Sequence, residues 1–466
     1  EDAGSMHTDC RGLPVTAASA DAAARYDRVI DGYLAFSRDT GAYLKDALAA
    51  DAAMPLALCT RGYFFKLFCT PAFEKRAAQS HKAADDAAAH AGATLRERLH
   101  IAALGAWCAG EFEQAAARLE EILLEHPRDI LAHKIAHFLY FYLGDAERMR
   151  DSVARTLYAW DEMVPGYGYM LGMHAFGLEE AGCYREAERT GRRAVEINPA
   201  DAWAVHAVAH VMEMEGRHRE GVGWTAIGEP AWERCNNFRF HVWWHRALFL
   251  LELGEYDAIL DLYDSRIRSE LTDEYLDIVN ASALLWRLED EGIDVGKRWA
   301  ELGERAQKRT DDHLLAFIDA HFIMALAATG RDADAEAMLA SMATTPTGTE
   351  AAVFREIGIP LCNALLAYRR GEFAAAVDLL MPIRYGLRRL GGSHAQRDLF
   401  ARLLIEAAIR SNRLSLGRAL LAERTAQKPN SRWSWRRYAD VAAALGDQQA
   451  AARSSARAAA CIGAAE

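Results

Sequence analysis

The sequence lacks the short motifs by which many enzymes are recognised. It contains no GxxxxGK[ST] or GxGxxG loop for phosphate, no GxSxG turn for a nucleophilic serine and no HExxH pair for zinc. These motifs place the reacting groups of P-loop proteins, dinucleotide-binding folds, α/β-hydrolases and metalloproteases. Any site in this chain must therefore be found from residue spacing rather than from a motif.

Positive charge is also in short supply. Lysine and arginine number 54 against 66 aspartates and glutamates, which gives a formal net charge of −12. A protein that binds nucleic acid neutralises phosphates with clustered lysine and arginine. Arg384, Arg388 and Arg389 form a local basic patch with the spacing of a solvated helix face. We therefore expect no nucleic-acid partner.

Disulfide spacing and long apolar runs are missing too. The eight cysteines are scattered without a CxxC pair, which predicts reduced thiols in a cytosolic protein. No apolar run approaches the roughly 20 residues that cross a bilayer, and the first residues lack the charged-then-apolar pattern of a signal peptide. We therefore expect a cytoplasmic location and no membrane partner. Residues 1–5, which precede Met6, are expected to be a remnant of an expression tag.

What the sequence has instead is a helical repeat. From about Arg96 onward, a glycine, an aromatic residue two positions later, an alanine three further on and a proline recur about every 34 to 40 residues. Glycine permits a left-handed helix end, the aromatic residue fills the angle between paired helices, alanine allows close approach, and proline blocks extension. The two clearest units, at 96–129 and 168–200, carry Gly110, Phe112, Ala115, Leu119 and Pro127, and Gly182, Tyr184, Ala187, Ala194 and Pro199.

This pattern resembles the tetratricopeptide repeat, so the predicted fold class is all-α: an α-α superhelix, or solenoid, of tandem helix pairs. We expect an N-terminal tail at 1–22 and a single continuous solenoid at 23–466. Within it, less regular helices at 23–95 would cap the stack, and the clearer repeats would occupy 96–466. An unpaired apolar end would favour a homodimer, and the sequence leaves the oligomeric state open.

Histidines at helical spacing concentrate between Trp203 and Leu250. His206 and His210 are four residues apart, and Glu213 follows three later. His241 and His245 are again four apart. Because spacings of three and four put side chains on one face of a helix, each set forms one surface. The resemblance to tetratricopeptide repeats implies that the concave groove is lined by His206, His210, Glu213, His241 and Trp244.

Two irregular segments interrupt the period and extend the candidate surface. The first, from Ala231 to Phe240, carries Arg239. The second, from Gly391 to Asp398, opens a helix with Ser393 as a candidate N-cap. Irregular segments in repeat arrays are common places for a binding surface. We therefore include residues of both segments among the candidates.

Three interpretations of these residues remain open. In the first, His206, His210 and Glu213 bind a divalent metal, because histidines at i and i+4 form a helical chelate. In the second, the groove holds a small organic ligand, with His210 and His245 as acid and base and Glu213 as an orienting carboxylate or base. In the third, the histidines are structural and bond between packed helices. The ligand-binding residues of the second interpretation are His206, His241, Trp244, Arg239, His321, His394, Gln396, Arg397 and Asp398, with Arg397 as the anchor for an anionic group.

Four segments also carry a resemblance to a narrower family. They are the run from His206 to Glu213, the run from Phe240 to His245, the pair Asp319 and His321, and the run from Gly391 to Asp398. Together they resemble the tetratricopeptide repeat protein 38 family. That resemblance implies a soluble helical-repeat protein in which the irregular segments belong to one recurring design, and it brings no settled reaction.

The sequence thus predicts a helical-repeat protein with a concave, histidine-lined pocket for a small organic ligand. A tightly curled solenoid would bring His206, His241, His321 and His394 to one enclosed site. Whether the protein is an enzyme, by acid-base or metal-assisted chemistry, is left open. The alternative is a non-catalytic tetratricopeptide scaffold that binds a partner protein or peptide. Since an open peptide groove is lined by Asn, Lys and Arg, the crowding of His, Trp and Glu favours the small ligand.

Overall fold

The computed structural model of the chain describes residues 5–463 and is 75% helical. Successive helices are joined by short turns. The helices of the first part of the chain are α1 (Ala20–Leu34), α2 (Thr40–Ala50), α3 (Pro55–Leu67), α4 (Pro71–Ala91), α5 (Leu95–Cys108), α6 (Phe112–Glu125), α7 (Ile130–Leu143), α8 (Ala146–Ala154), α9 (Tyr167–Glu180), α10 (Tyr184–Ile197), α11 (Ala202–Glu215), α12 (His218–Ile227) and α13 (Glu229–Trp232).

The second part continues the same arrangement. Short stretches with tighter or wider turns interrupt the helices at Leu157–Ala159, in the first part, and at Tyr263–Ile267, Phe354–Gly358 and Met381–Leu390. The remaining helices are α14 (Phe238–Glu252), α15 (Tyr256–Leu262), α16 (Tyr275–Asp290), α17 (Trp299–Gln307), α18 (Ala316–Ala328), α19 (Asp332–Met342), α20 (Thr349–Val353), α21 (Ile359–Arg369), α22 (Phe373–Leu380), α23 (His394–Arg410), α24 (Leu414–Gln427), α25 (Arg432–Ala444) and α26 (Gln448–Gly463).

The helices form pairs at the positions that the repeat predicts. In the unit at 96–129, α5 ends just before Gly110, whose φ of 78° needs a glycine, and α6 begins at Phe112. Ala115 and Leu119 on α6 are fully buried. The unit at 168–200 repeats this scheme with α9 and α10, which pack against each other. The predicted all-α fold of tandem helix pairs is therefore confirmed.

A small β-hairpin precedes the first helix. Strand β1 (Ser5–Thr8) pairs antiparallel with β2 (Pro14–Ala17), and no other sheet occurs within residues 5–463. Thr16 joins the hairpin to α5, because its backbone N–H and its hydroxyl both donate to the buried carboxylate of Glu97, at 3.1 and 2.8 Å. Four-residue strands are too short for alternation to be seen in the sequence, which predicted only a tail at 1–22. Residues 1–4 of that tail lie outside the described residues.

The contacts within the chain divide it into two compact units. The first contains the described residues up to Val208, together with Pro230–Arg239 and Thr347–Ala352. The second contains Ala209–Glu229, Phe240–Pro346 and the rest of the described chain from Val353. The division falls inside α11, so it does not follow a linker. The expectation of a single solenoid at 23–466 stays a prediction.

One helical stretch is longer and more apolar than the sequence analysis predicted. From Thr349 to Arg369, the chain is helical over 21 residues and apolar enough, by length and composition, to cross a membrane. The expectation that no run approaches that length is therefore wrong. Since 61% of its most apolar window is buried inside the fold, the stretch also has the character of a core helix.

Candidate functional site

The site is built on α14, whose side chains are buried on nearly every side. Phe240, Val242 and Trp244 are at most 1% exposed, and no glycine or proline interrupts the helix. A helix that is hydrophobic all round belongs in a core. Its two histidines, His241 and His245, are consequently removed from water as well.

His241 and His245 face each other across one turn of α14. Their Nε2 atoms are 3.1 Å apart, and their ring centroids are 4.7 Å apart. On the other side of the His241 ring, Nδ1 lies 2.8 Å from Oδ1 of Asn280. Because an amide oxygen only accepts, His241 carries its proton on Nδ1. Its Nε2 therefore directs a lone pair towards His245.

His210, on α11, supplies a third imidazole. Its ring centroid is 4.3 Å from that of His245. One ring nitrogen from each of His210, His241 and His245 lies within 4.8 Å of the others. Two nitrogens bound to one tetrahedral zinc ion are about 3.4 Å apart, so the separation within the α14 pair is close to that of a chelate. We refer to these three residues as the three-histidine cluster.

Burial keeps the α14 histidines neutral. It lowers the pKa of His241 to about 4, although the hydrogen bond to Asn280 acts in the opposite direction. It also lowers the pKa of His245 well below the usual range, and the charges of His210, His241 and Arg287 lower it further. Neutral imidazole is the form that binds metals, and the Nε2 lone pair of His241 is already in place. Because His245 donates to that lone pair from Nε2, its proton would have to move to Nδ1 before Nε2 could bind a metal.

An aromatic side chain and a buried cation adjoin the cluster. The Trp244 indole stacks on the His241 ring, with 5.2 Å between centroids and 14° between planes. The guanidinium carbon of Arg287 lies 5.4 Å from the centroid of the Trp244 ring. Burial lowers the pKa of Arg287 to about 10. The cluster therefore has a positively charged neighbour in apolar surroundings.

The sequence reading missed two residues of this site, Asn280 and Arg287 on α16. They are seven residues apart and so lie nearly on one face. Every residue of α16 from Asp277 to Leu288 is buried. A polar residue in such a helix needs a partner, so Asn280 and Arg287 within an apolar run were a signal that the sequence offered. Only the tertiary contacts connect that signal with α14.

His321, a predicted ligand-binding residue, is fully buried on α18. Its Nδ1 donates to the carbonyl of Phe317 at 2.8 Å, and its Nε2 has no hydrogen-bond partner among residues 5–463. Burial lowers the pKa of His321 to about 4, and the charge of Arg287 contributes to this shift. Asp319, its neighbour in the family pattern, bonds instead to His313 at 2.6 Å.

Glu213, predicted as a base or a metal ligand, lies beside His218. Its Oε2 is 4.0 Å from Nδ1 of that histidine. Burial raises the pKa of Glu213, and the charge of His218 lowers it in part. The nearest basic side chain to Glu213 is thus His218, whereas Asn280 contacts His241. The chemical role of Glu213 stays a prediction.

Two further candidates, His206 and Arg239, belong to the first unit. The His206 ring packs against aromatic rings, with centroids 4.8 Å from Trp203 and 5.2 Å from both Phe176 and Phe238. Arg239 donates to the carbonyl of Cys235 at 3.2 Å. Their predicted ligand-binding roles remain predictions.

The segment at Gly391–Asp398 opens α23 as the sequence predicts. Ser393 caps the helix, because its hydroxyl accepts from the N–H of Gln396 at 3.2 Å. The Gln396 side chain returns the bond by accepting from the N–H of Ser393 at 2.9 Å. The backbone N–H and the side-chain oxygen of Gln396 are therefore engaged in a capping box.

The other predicted ligand residues of this segment have different surroundings. The His394 side chain is exposed. Arg397, predicted to anchor an anionic group, donates from Nη1 to the carbonyls of Gly391 and Gly392, at 2.9 and 2.5 Å. Asp398 accepts two hydrogen bonds from Arg424, both at 2.8 Å. The structure thus places Arg397 and Asp398 in contacts that fix the backbone and adjacent helices.

No family model matches the chain. The solved structures that it resembles are helical-repeat proteins of the tetratricopeptide type. A human IFIT1 dimer with PPP-AAAA has a TM-score of 0.39 at 13% identity, over 95% of this chain and 89% of that one. The Cut9-Hcn1 hetero-tetramer of the APC/C has a TM-score of 0.38 at 12% identity, over 95% and 93%. Yeast Tom70 has a TM-score of 0.32 at 13% identity, over 94% and 95%.

Identities this low carry no information about function, and TM-scores below 0.5 add no argument about the fold. The all-α architecture is evident from the helical pairs of the chain itself. The narrower resemblance to the tetratricopeptide repeat protein 38 family stays a prediction. The function must therefore be argued from the site.

Proposed function

We propose that the second unit binds a divalent transition metal through His210, His241 and His245, and that a small organic ligand binds beside this centre. The observation that carries the proposal is the paired geometry of His241 and His245. Zinc and its neighbours in the transition series prefer imidazole ligands, and three such ligands leave a coordination position for a water or a substrate. The protein would thus be a ligand-binding helical-repeat protein with a metal centre.

Asn280 supports the metal assignment independently. Histidines that bind metals nearly always donate their second ring N–H to a fixed acceptor, which sets the tautomer and the orientation of the ring. Asn280 is such an acceptor for His241. A structural pair would keep the 3.1 Å contact as a hydrogen bond from His245 to His241, whereas a metal would bind both nitrogens, and the titration below distinguishes the two.

The wall of the site is suited to a small organic molecule. Trp244 offers an indole face beside the metal ligands, and Arg287 offers a cation. Apolar walls with a few convergent polar groups are typical of small-molecule sites. A metal held by three neutral imidazoles can activate a bound water or polarise a carbonyl group. Metal-assisted chemistry on the ligand is therefore the reaction class that we propose, if the protein is an enzyme.

Titration with Co²⁺ tests the metal centre. Stripped full-length protein should bind one Co²⁺ and show the visible absorption of a tetrahedral nitrogen site. His241→Ala and His245→Ala should lose this absorption, and Asn280→Ala should weaken binding by about 10 to 100-fold because the His241 ring loses its acceptor. The matched control is His394→Ala, which removes an exposed histidine of the same unit.

Three outcomes would contradict the proposal. Co²⁺ binding that does not change in His241→Ala would show that the metal is held elsewhere. Metal that is lost in His206→Ala and Glu213→Ala but kept in His241→Ala would support the metal set predicted from the sequence, His206, His210 and Glu213. A wild-type protein that binds no Co²⁺ would favour the non-catalytic scaffold.

A further inference from the structure

We infer that the ligand of the second unit is a small organic acid whose carboxylate binds Arg287. This inference rests on the proposed function, because it assigns the chemical class of the ligand at the same site. It depends on three observations: the isolation of the Arg287 charge, the buried hydrogen-bond donors around it, and the indole of Trp244.

Arg287 is a buried cation without an ion pair. It is 4% exposed, and its hydrogen bond runs from Nη2 to the carbonyl of Ala395, at 2.9 Å. No ion pair within 4.0 Å joins it to a carboxylate of the described residues. Removing an ion from water costs several kcal/mol unless another charge compensates it. Arg287 therefore lacks the partner that a buried guanidinium normally has.

Other buried arginines of the same unit do have that partner. Arg268 makes two hydrogen bonds with Glu301, at 2.8 and 2.9 Å. Arg402 pairs with Glu252 and also reaches Asp398 at 3.3 Å. The absence of a carboxylate at Arg287 is thus not a general feature of this fold.

The carboxylates that act on Arg287 through their charge do not contact it. Asp398 and Glu213 both raise the pKa of Arg287, against the stronger influence of burial. Asp398 is bonded to Arg424 and Lys428. Oε2 of Glu213 lies 4.0 Å from Nδ1 of His218 and makes no hydrogen bond within the described part of the chain. Neither carboxylate therefore forms an ion pair with Arg287.

Three buried donors near this position have no acceptor among residues 5–463. They are Nη1 of Arg287, Nδ2 of Asn280 and Nε1 of Trp244. Asn280 shares a helix face with Arg287, and Trp244 lies under the guanidinium. A buried donor left without an acceptor costs about 1 to 3 kcal/mol. Buried donors without an acceptor are what an anionic ligand would satisfy.

The single positive charge favours a carboxylate over a phosphate. One guanidinium balances one negative charge and matches the planar, two-oxygen geometry of a carboxylate. A phosphate would bring a second negative charge into apolar surroundings. The Trp244 indole offers the rest of the molecule an apolar face, so an acid with an aromatic or apolar body fits best.

Thermal unfolding of the full-length protein tests this assignment, with benzoate as the probe. Without added acid, Arg287→Met should have a melting temperature no lower than that of wild type, since the substitution removes an uncompensated buried charge. Arg268→Met, which breaks a complete ion pair, should melt lower. Benzoate should raise the melting temperature of wild type and of Arg268→Met, and at least a tenfold higher concentration should be needed in Arg287→Met.

Neutral and phosphate probes complete the test. Benzyl alcohol, which has the same ring without the charge, should leave all three proteins unchanged. A response to inorganic phosphate but not to benzoate would overturn the carboxylate assignment. So would equal benzoate responses in wild type and Arg287→Met, or a loss of stability in Arg287→Met as large as that in Arg268→Met.

The metal proposal and this inference can fail separately. Arg287→Met keeps all three histidines, so its Co²⁺ absorption should persist. Absence of Co²⁺ binding in every protein, with a benzoate response that depends on Arg287, would overturn the metal centre and keep the acid site. Co²⁺ binding without any benzoate response in wild type would overturn the acid site and keep the metal centre.

Discussion

At the scale of single residues, Glu252 shows how this fold treats a buried charge. The carboxylate lies at the end of α14, is 5% exposed and pairs with Arg402. It also accepts from the backbone N–H of Trp433 at 3.3 Å. Burial by itself would raise the pKa of Glu252, but the charges of Arg402, His218 and Arg424 outweigh it and lower the pKa from 4.5 to about 2. The charged form is therefore the stable one in the folded protein.

This shift predicts a dependence of stability on acid pH. The folded state binds the proton of Glu252 more weakly than the unfolded state, so the stabilisation is complete above pH 4.5 and is lost as the pH falls towards 2. Glu252→Gln should lower the free energy of unfolding at pH 7 by about 3 kcal/mol. It should also flatten the loss of stability between pH 4.5 and 2, as measured by urea unfolding.

Glu255→Gln is the matched control, because Glu255 is exposed three residues further along the chain. It should leave both the stability and its pH dependence close to those of wild type. If the free energy of unfolding fell equally between pH 4.5 and 2 in Glu252→Gln and wild type, the charge of Glu252 would not stabilise the folded protein.

At the scale of elements, α12 shows that two glycines in one helix can have different roles. Helix α12 runs from His218 to Ile227 through both Gly221 and Gly223. The two glycines differ in surroundings. A Cβ on Gly221 would lie 2.4 Å from the Phe249 ring, whereas a Cβ on Gly223 would meet no atom within 4 Å. The absence of a side chain at Gly221 therefore allows α12 to pack closely on α14. Gly223 makes no comparable contact and has no part in this packing.

The two glycines form a matched pair for mutation. Gly221→Ala should destabilise the protein by about 1 to 3 kcal/mol, because the methyl group would displace Phe249 from its place on α14. Gly223→Ala should stabilise it by about 0.5 to 1 kcal/mol, since alanine is the better helix former and the space is open. Urea unfolding at neutral pH measures both. Destabilisation of the same size in the two variants would contradict the packing described for α12.

At the scale of the molecule, the second unit is held together by contacts between distant repeats. In a simple repeat array, each repeat contacts only its neighbours. Here Trp433, on α25, donates to Glu252, which lies 181 residues earlier. The Asn430 side chain donates to the carbonyl of Glu215 at 3.1 Å, across 215 residues. Repeats far apart in the sequence are thus linked directly within this unit.

These long-range contacts predict that a change in α14 reaches α25. In Glu252→Gln, the N–H of Trp433 loses a charged acceptor, so hydrogen exchange should speed up in the first turn of α25. Hydrogen exchange with mass spectrometry of the full-length protein measures this, with Glu255→Gln as the control. Faster exchange confined to α14 and its neighbours in sequence would show that the distant repeats are not coupled through Glu252.

The sequence by itself determined the all-α repeat architecture, because glycine, aromatic, alanine and proline positions act locally within each helix pair. It also located the histidine pairs, since a spacing of four residues is sufficient to put them on one face. The tertiary structure decided which side chains those histidines meet. His241 pairs with Asn280 and His245, and Arg287 lies by Trp244 without a carboxylate. Such contacts join residues from separate helices, and their register depends on packing that no local spacing encodes.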